Sequence, residues 1–269
     1  MRGSSRGARA AADKALALAL DGVDRTALAE ELFAINAAID GDVSLRRAFA
    51  DPSRDGESKR GLADRLFGGK VSEAANTLTG EVVAQRWQKE GDLGDTFESL
   101  AVRALLAGAE KGERIDDVED ELFRFERIVA SDAELRDVLS SRNADSTGKA
   151  GLVRGLLEGK VQPETIRLAE QAVLVPRGRR LDRVLESYLK LASERRDELT
   201  ALVTSVVALD ERQQHRLTSA LRAIYGKKVT LRSVLDPSVV GGIRVQIGDE
   251  VVDGTVLRRL EAVQRDLAG

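Results

Sequence analysis

Apolar residues recur at helical spacing along the first two-thirds of the chain. Leu28, Leu32, Ile35 and Ile39 fall at i, i+4, i+7 and i+11, and Val118, Leu122, Phe125 and Val129 do the same. Each set therefore forms one stripe on a helix. Leu45, Ala48 and Phe49 mark a short second helix after the first set, as Leu135, Val138 and Leu139 do after the second. Leu62 with Leu66, and Leu152 with Leu156, mark a third, each stopped by a Gly-Lys pair.

The two series keep one register. "ELFAINAAIDGDVSLRRAF" begins at Glu31 and "ELFRFERIVASDAELRDVL" at Glu121, an offset of 90 (121 − 31) that holds without a gap through Lys59 and Lys149 to Val71 and Val161. An ungapped register crossing several turns argues for an internal repeat rather than chance likeness. Each copy reads as a bundle of about six short helices joined by polar turns, the first over residues 1–96 and the second over 97–192. The last helix of the second copy carries Leu181, Leu185, Tyr188 and Ala192 on one face.

After about Leu199 the pattern turns to β-branched runs. "TALVTSVVAL" reads as a buried strand. "DERQQHRLTSALRAIYG" follows as a helix with Asp210 as N-cap, Gln213 at the capping-box position, and Leu217, Leu221 and Ile224 facing inward. "KKVTLRSV" and "GIRVQIG" are strands, and in the second Ile243, Val245 and Ile247 alternate with Arg244 and Gln246. A last helix carries Val256, Leu260, Val263 and Leu267. The expected fold is mainly α, two tandem helical bundles followed by a small α+β C-terminal domain, β-α-β-β-α, over 193–269.

Composition narrows the function. The 269 residues include 32% charged and 42% hydrophobic positions, and the formal net charge is -3. Near balance of acids and bases argues against a nucleic-acid binder, which carries a basic excess on one face. With no cysteine, thiolate metal sites, disulfides and cysteine nucleophiles are excluded. No apolar run approaches the roughly 20 residues that span a bilayer, and "MRGSSRGARA" lacks the apolar core of a secretory signal.

Candidate chemistry falls away motif by motif. A phosphate loop needs G-x-x-x-x-G-K-[ST], but in "STGKAG" Ala150 replaces the hydroxyl and Asn143 stands at the first glycine. The stretch from Gly241 to Gly254 has no following lysine, and Asp249, Glu250 and Asp253 would repel a phosphate. His215, the one histidine, cannot build a histidine zinc site alone and sits on the polar side of its helix. Asp116/Asp117 and Glu119/Asp120 lie at a helix start, where acids suit the dipole. Trp87 suits a core and also an interface anchor. No catalytic set, cofactor site or metal site is expected.

"DPSVVGGIRVQIGDEVVDGTVLRRL" carries the most specific signal. Its Asp236, Pro237, Gly241, Gly242, Gly248, Asp249, Asp253 and Gly254 stand in the order of the delta subunit of F-type ATP synthases, the oligomycin-sensitivity-conferring protein family, which this region closely resembles. "RGRRLDRVLESYLKLASERR" resembles the family's helical domain at Gly178, Arg180, Leu181 and Tyr188. The first copy is the departure, with Asp92 near the place of Arg180; most members have one bundle, and such lengthened subunits resemble those of actinobacteria. The resemblance implies a non-catalytic stator subunit that ties the catalytic head to the peripheral stalk. It implies as partners the N-terminal helices of the alpha subunits and the C-terminal helix of the b subunit, with no nucleic acid and the membrane reached only through the complex, at its cytoplasmic face. Trp87, Arg180 and Tyr188 are the candidate partner contacts. The alternative is a helical-repeat adaptor or an RNA-binding, antitermination-like protein, which predicts a basic face. Apart from any partner, the glycines serve the backbone: Pro237 and Gly241-Gly242 steer the chain into a strand, Gly248-Asp249 make a tight hairpin, and Asp253 and Gly254 turn it into the last helix.

Overall fold

Aspartate and serine side chains start most of the helices. Asp24 accepts from the backbone N–H groups of Thr26 and Ala27, Asp42 from Ser44 and Leu45, Asp55 from Ser58, Ser72 from Ala75, Asp132 from Leu135 and Asp145 from Gly148. Each satisfies a donor that the first helical turn leaves without a partner. The computed structural model describes residues 4–141, 143–195, 198–225, 228–237, 239, 241–247 and 250–253. The helices are α1 (Ser4–Ala19), α2 (Arg25–Gly41), α3 (Val43–Ala50), α4 (Gly56–Phe67), α5 (Glu73–Val83), α6 (Glu90–Lys111), α7 (Ile115–Ser131), α8 (Ala133–Ser140), α9 (Ser146–Leu157), α10 (Pro163–Leu174), α11 (Leu181–Arg195) and α12 (Glu211–Tyr225). The strands are β1 (Glu198–Ser205), β2 (Lys228–Leu235), β3 (Ile243–Ile247) and β4 (Glu250–Asp253).

The chain forms two compact units, Met1–Ala192 and Ser193–Gly269. Within the helical unit, α2, α3, α4 and α5 begin at 25, 43, 56 and 73, and α7, α8, α9 and α10 repeat these starting positions 90 residues on, at 115, 133, 146 and 163. Local devices recur at the same interval. Gly69 and Gly159 both take positive φ, 72° and 73°, and the carboxylates of Glu31 and Glu121 accept from the backbone N–H groups of Ser72 and Gln162 at 2.8 and 2.9 Å. Helix α6 runs unbroken through residue 96 and has buried residues on every face, Leu93, Phe97, Leu100, Val102 and Leu106 among them. One hydrophobic core accordingly extends from α1 to α11. We call α1–α6 the first half of this unit and α6–α11 the second.

The inward faces differ from expectation in one respect. The leucines Leu152 and Leu156 of α9 are 40% and 39% exposed, and the buried stripe is Lys149, Ala150, Val153 and Leu157; in α4 it is Lys59, Ala63 and Phe67. Both lysines bury their stems and donate Nζ to a carbonyl, Lys59 to Gln85 at 3.4 Å and Lys149 to Ser141 at 3.0 Å. Burial pushes the Lys59 ammonium below its ordinary range.

The second unit is a four-stranded mixed sheet in the order β2-β1-β3-β4. Strand β1 pairs parallel with β2 across the α12 crossover and antiparallel with β3, which pairs antiparallel with β4. Ala201, Val203, Leu221, Val229, Val245 and Ile247 form its core. The capping box is present: the Asp210 N–H donates to Gln213 Oε1 at 2.9 Å and the Gln213 N–H to Asp210 Oδ1 at 2.7 Å. Asp210→Ala should lower the stability of this unit by about 1 kcal/mol, measured as a shifted urea midpoint at unchanged slope.

Three expectations are corrected here. Strand β1 stops at Ser205, whose hydroxyl donates to the Val207 carbonyl at 2.7 Å and turns the chain, leaving Val206 and Val207 exposed. Ile224 is 71% exposed, and of the α12 stripe Leu221 is the fully buried member. "EVVD" is a fourth strand, so the observed order is β-α-β-β-β; Val251 and Val252 are each half exposed, without the alternation of a buried face. The expected last helix lies outside the described residues.

Candidate docking groove and the family of the chain

Gly241 and Gly242 enter β3 with φ of 65° and 81°, the left-handed region open to glycine without strain. Asp236 donates its N–H to the Ser205 carbonyl at 2.9 Å, fastening the end of β2 to the end of β1, and Pro237 follows exposed at the turn. Ile247 pairs with Glu250, so two residues connect β3 to β4. Asp253 closes β4, while Gly248, Asp249 and Gly254 lie outside the described residues. Gly241, Gly242 and Asp236 direct the backbone of the sheet unit, and Glu250 accepts from the Tyr225 hydroxyl at 2.8 Å.

In the helical unit the three candidate partner contacts separate. Trp87 is 2% exposed and its Nε1 donates to the Val82 carbonyl at 3.1 Å. Tyr188 is equally buried in the core, its hydroxyl donating to Glu98 Oε1 at 2.6 Å; burial first, and the Glu98 carboxylate next, push that hydroxyl well above its ordinary range. Arg180 alone presents its side chain to the surface, 79% exposed and 2.9 Å from Asp182.

Around Tyr188 lies a polar network the local pattern did not reveal. Arg179 Nη2 donates to both oxygens of buried Glu98, at 2.7 and 2.6 Å. Arg177 donates to Asn36 Oδ1 at 3.0 Å, to Asp95 at 3.2 Å and to Asp40. A Cβ at Gly94 would overlap the Arg177 guanidinium, so α6 needs glycine there for the arginine to lie across it. On the same seam Arg167 pairs with Glu30 at 2.7 Å and stands 4.3 Å over the Phe33 ring. The connection between α10 and α11 thus pins the second half onto α2 and α6. The recurring Glu-Ser of "FES" at 97–99 and "LES" at 185–187 was the available signal that Glu98 matters.

The second half also carries a groove of about 810 Å³ between α7, α8, α9 and α11. Val129, Leu139, Leu181 and Leu185 make its floor; Glu126, Arg136, Lys149, Arg180, Asp182 and Glu186 line its walls. Arg136 donates to the Ala130 carbonyl at 3.0 Å and Lys149 to Ser141, so both bases are held at helix ends. Apolar floor and polar walls suit a peptide segment rather than bond chemistry. Among the described residues no group of three histidine, cysteine or acidic side chains is placed to hold a metal ion, and His215 is exposed on α12.

Residues 102–267 match the family model described as the ATP synthase delta (OSCP) subunit. The chain belongs to that family. Its relatives extend the likeness to the full length: ATP synthase subunit delta of Streptomyces griseus is 49% identical over 271 residues, with all of both chains covered. The Streptomyces coelicolor subunit is 47% identical, covering 100% of this chain and 98% of its own, and that of Kineococcus radiotolerans 39%, covering 99% and 98%. Delta subunits of this family are non-catalytic parts of the ATP synthase peripheral stalk, and this chain is one of them. The family model begins inside α6, so the second half and the sheet unit are the portion it describes, and the first half is shared with these actinobacterial relatives. No helix among the described residues is long and apolar enough to cross a membrane, in keeping with a peripheral subunit of a membrane complex.

Proposed function

We propose that the chain ties the catalytic head of ATP synthase to the b-subunit stalk on the cytoplasmic face of the membrane and so resists rotor torque. The observation that carries this reading is the division into two compact units, each with a core of its own. A tether needs two binding bodies in one chain, because each contact then raises the effective concentration of the other. The helical unit takes N-terminal helices of the alpha subunits and the sheet unit takes the C-terminal end of b.

Residues 1–96 and 97–192 are read as tandem copies of one bundle, 97–192 being the copy that grips alpha and 1–96 an added contact along head or stalk. The 90-residue spacing of helix starts supports the duplication, and the groove and the family match, both in the second half, support the assignment. Recovery of alpha and b subunits with the tagged chain from solubilised membranes is the expected result; their absence from the eluate overturns the tether. Cross-links to alpha dominated by residues 1–96, with none from 97–192, would reverse the assignment of the copies.

A further inference from the structure

The internal repeat sets one place side by side in its two copies. The offset of 90 carries Val129, Asp137 and Leu139 of the second half's groove onto Ile39, Arg47 and Phe49 of the first. Between α11 and α6 an offset of 88 (185 − 97) carries Asp182, Leu185 and Glu186 onto Gly94, Phe97 and Glu98. Local structure agrees, since Arg46 donates to the Asp40 carbonyl as Arg136 does to that of Ala130. In the second half the place is an open groove; in the first it is filled.

The filling comes from two sides. From below, Ile39 stands for Val129, Phe49 for Leu139 and Phe97 for Leu185, each larger than its counterpart and buried. From above, Arg177 crosses α6 at Gly94 and donates to Asn36, Asp40 and Asp95, while Arg179 holds Glu98. The Arg177 side chain is only 13% exposed. Its backbone has a φ of 52°, a left-handed conformation that a residue other than glycine keeps only where its surroundings hold it. The second half does not repeat the arrangement. A side chain, Asp182, stands at the Gly94 position, and after α11 the chain passes into the sheet unit instead of a third bundle.

We infer that the connection between α10 and α11 is an internal ligand of the first half: Arg177 and Arg179 occupy there the place that the second half leaves open, so another subunit docks at this place only in the second half. The first half keeps the shape of a docking bundle but serves as the seat of the connection, and its own contact with head or stalk runs through other faces. The inference rests on the proposed reading in taking the second half's groove as the docking place.

The seat is tested first, on the full chain alone. A Cβ at Gly94 meets the Arg177 guanidinium, so Gly94→Ala should lower the melting temperature, followed by Trp87 fluorescence, by at least about 3 °C. In an Arg177→Gly background, where glycine suits the left-handed turn, the same change should lower it no further. Equal losses in both backgrounds overturn the inference.

Docking is tested with ATP synthase stripped of this subunit. The chain has no cysteine, so Glu30→Cys and Arg167→Cys, at a pair on the same seam, can be bridged selectively by a bismaleimide. The bridged chain, unable to release the connection, should rebind within about twofold of the unbridged variant; a loss of about tenfold overturns the inference. A photo-reactive residue at Asp137 should label a segment of another subunit, and one at its exposed counterpart Arg47 should not label that segment. Labelling of one segment from both positions overturns the inference and leaves the stalk reading standing. A silent Asp137 position in a chain that rebinds overturns the docking place and the inference together. Failure of the unaltered chain to rebind overturns the stalk reading, and the melting of the Gly94→Ala pair then decides the seat by itself.

Discussion

Replacing Glu98 with alanine should destabilise the helical unit by about 3–5 kcal/mol, the cost of breaking a buried ionic contact by removing one partner. Glu98 is 2% exposed and accepts from two donors, Arg179 at 2.6 Å and the Tyr188 hydroxyl at 2.6 Å, with Arg177 in ion-pair range at 3.8 Å. Without it the Arg179 guanidinium and the buried Tyr188 hydroxyl lose this acceptor together. Tyr188→Phe, which removes one hydrogen bond and leaves the ion pair, should lose only about 1 kcal/mol. Urea unfolding followed by the fluorescence of Trp87, the one tryptophan, measures both. A loss below about 1 kcal/mol for Glu98→Ala would mean that Asp95 and Asp40 suffice for both arginines.

Phe97→Ala should have an effect of similar size, about 3–5 kcal/mol, but of different reach. Phe97 is fully buried in α6, the helix that closes the first half and opens the second. A cavity there removes contacts from both sides of the seam, so the halves should lose stability together. Trp87 reports the first half; hydrogen exchange of α10 amides reports the second. Coincident transitions are expected from both probes, as for a single cooperative body. Two separated midpoints would show that the core is divisible at α6.

Much of this architecture could be read without coordinates, and the reasons are local. The caps at Asp42, Asp55, Asp132, Asp145 and Asp210 act over three residues, so their chemistry is visible in a short window. The alternation of Ile243, Val245 and Ile247 likewise reports its own burial. Lys59 and Lys149 were misleading because a lysine counts as polar while its four-carbon stem packs like a leucine. The stripe that the pattern predicts for α9 therefore runs through Leu152 and Leu156, one step round the helix from the buried Val153 and Leu157. Strand β4 carries no such signal, because its half-exposed Val251 and Val252 do not alternate. The network of Glu98, Arg177 and Arg179 has no local signature beyond the recurring Glu-Ser at Glu98 and Glu186. Their partners lie some eighty to ninety residues apart in sequence or more, and pairing at that range depends on which helices meet, not on any one helix.

The continuity of α6 has a mechanical meaning. With no joint at residue 96, a twist applied between the two halves can be accommodated only by bending a buried helix of 22 residues, about 33 Å long. Helix and core resist that deformation together, so little elastic energy can be stored there. Under load the helical unit should transmit force as a stiff bar, without the recoil of a spring.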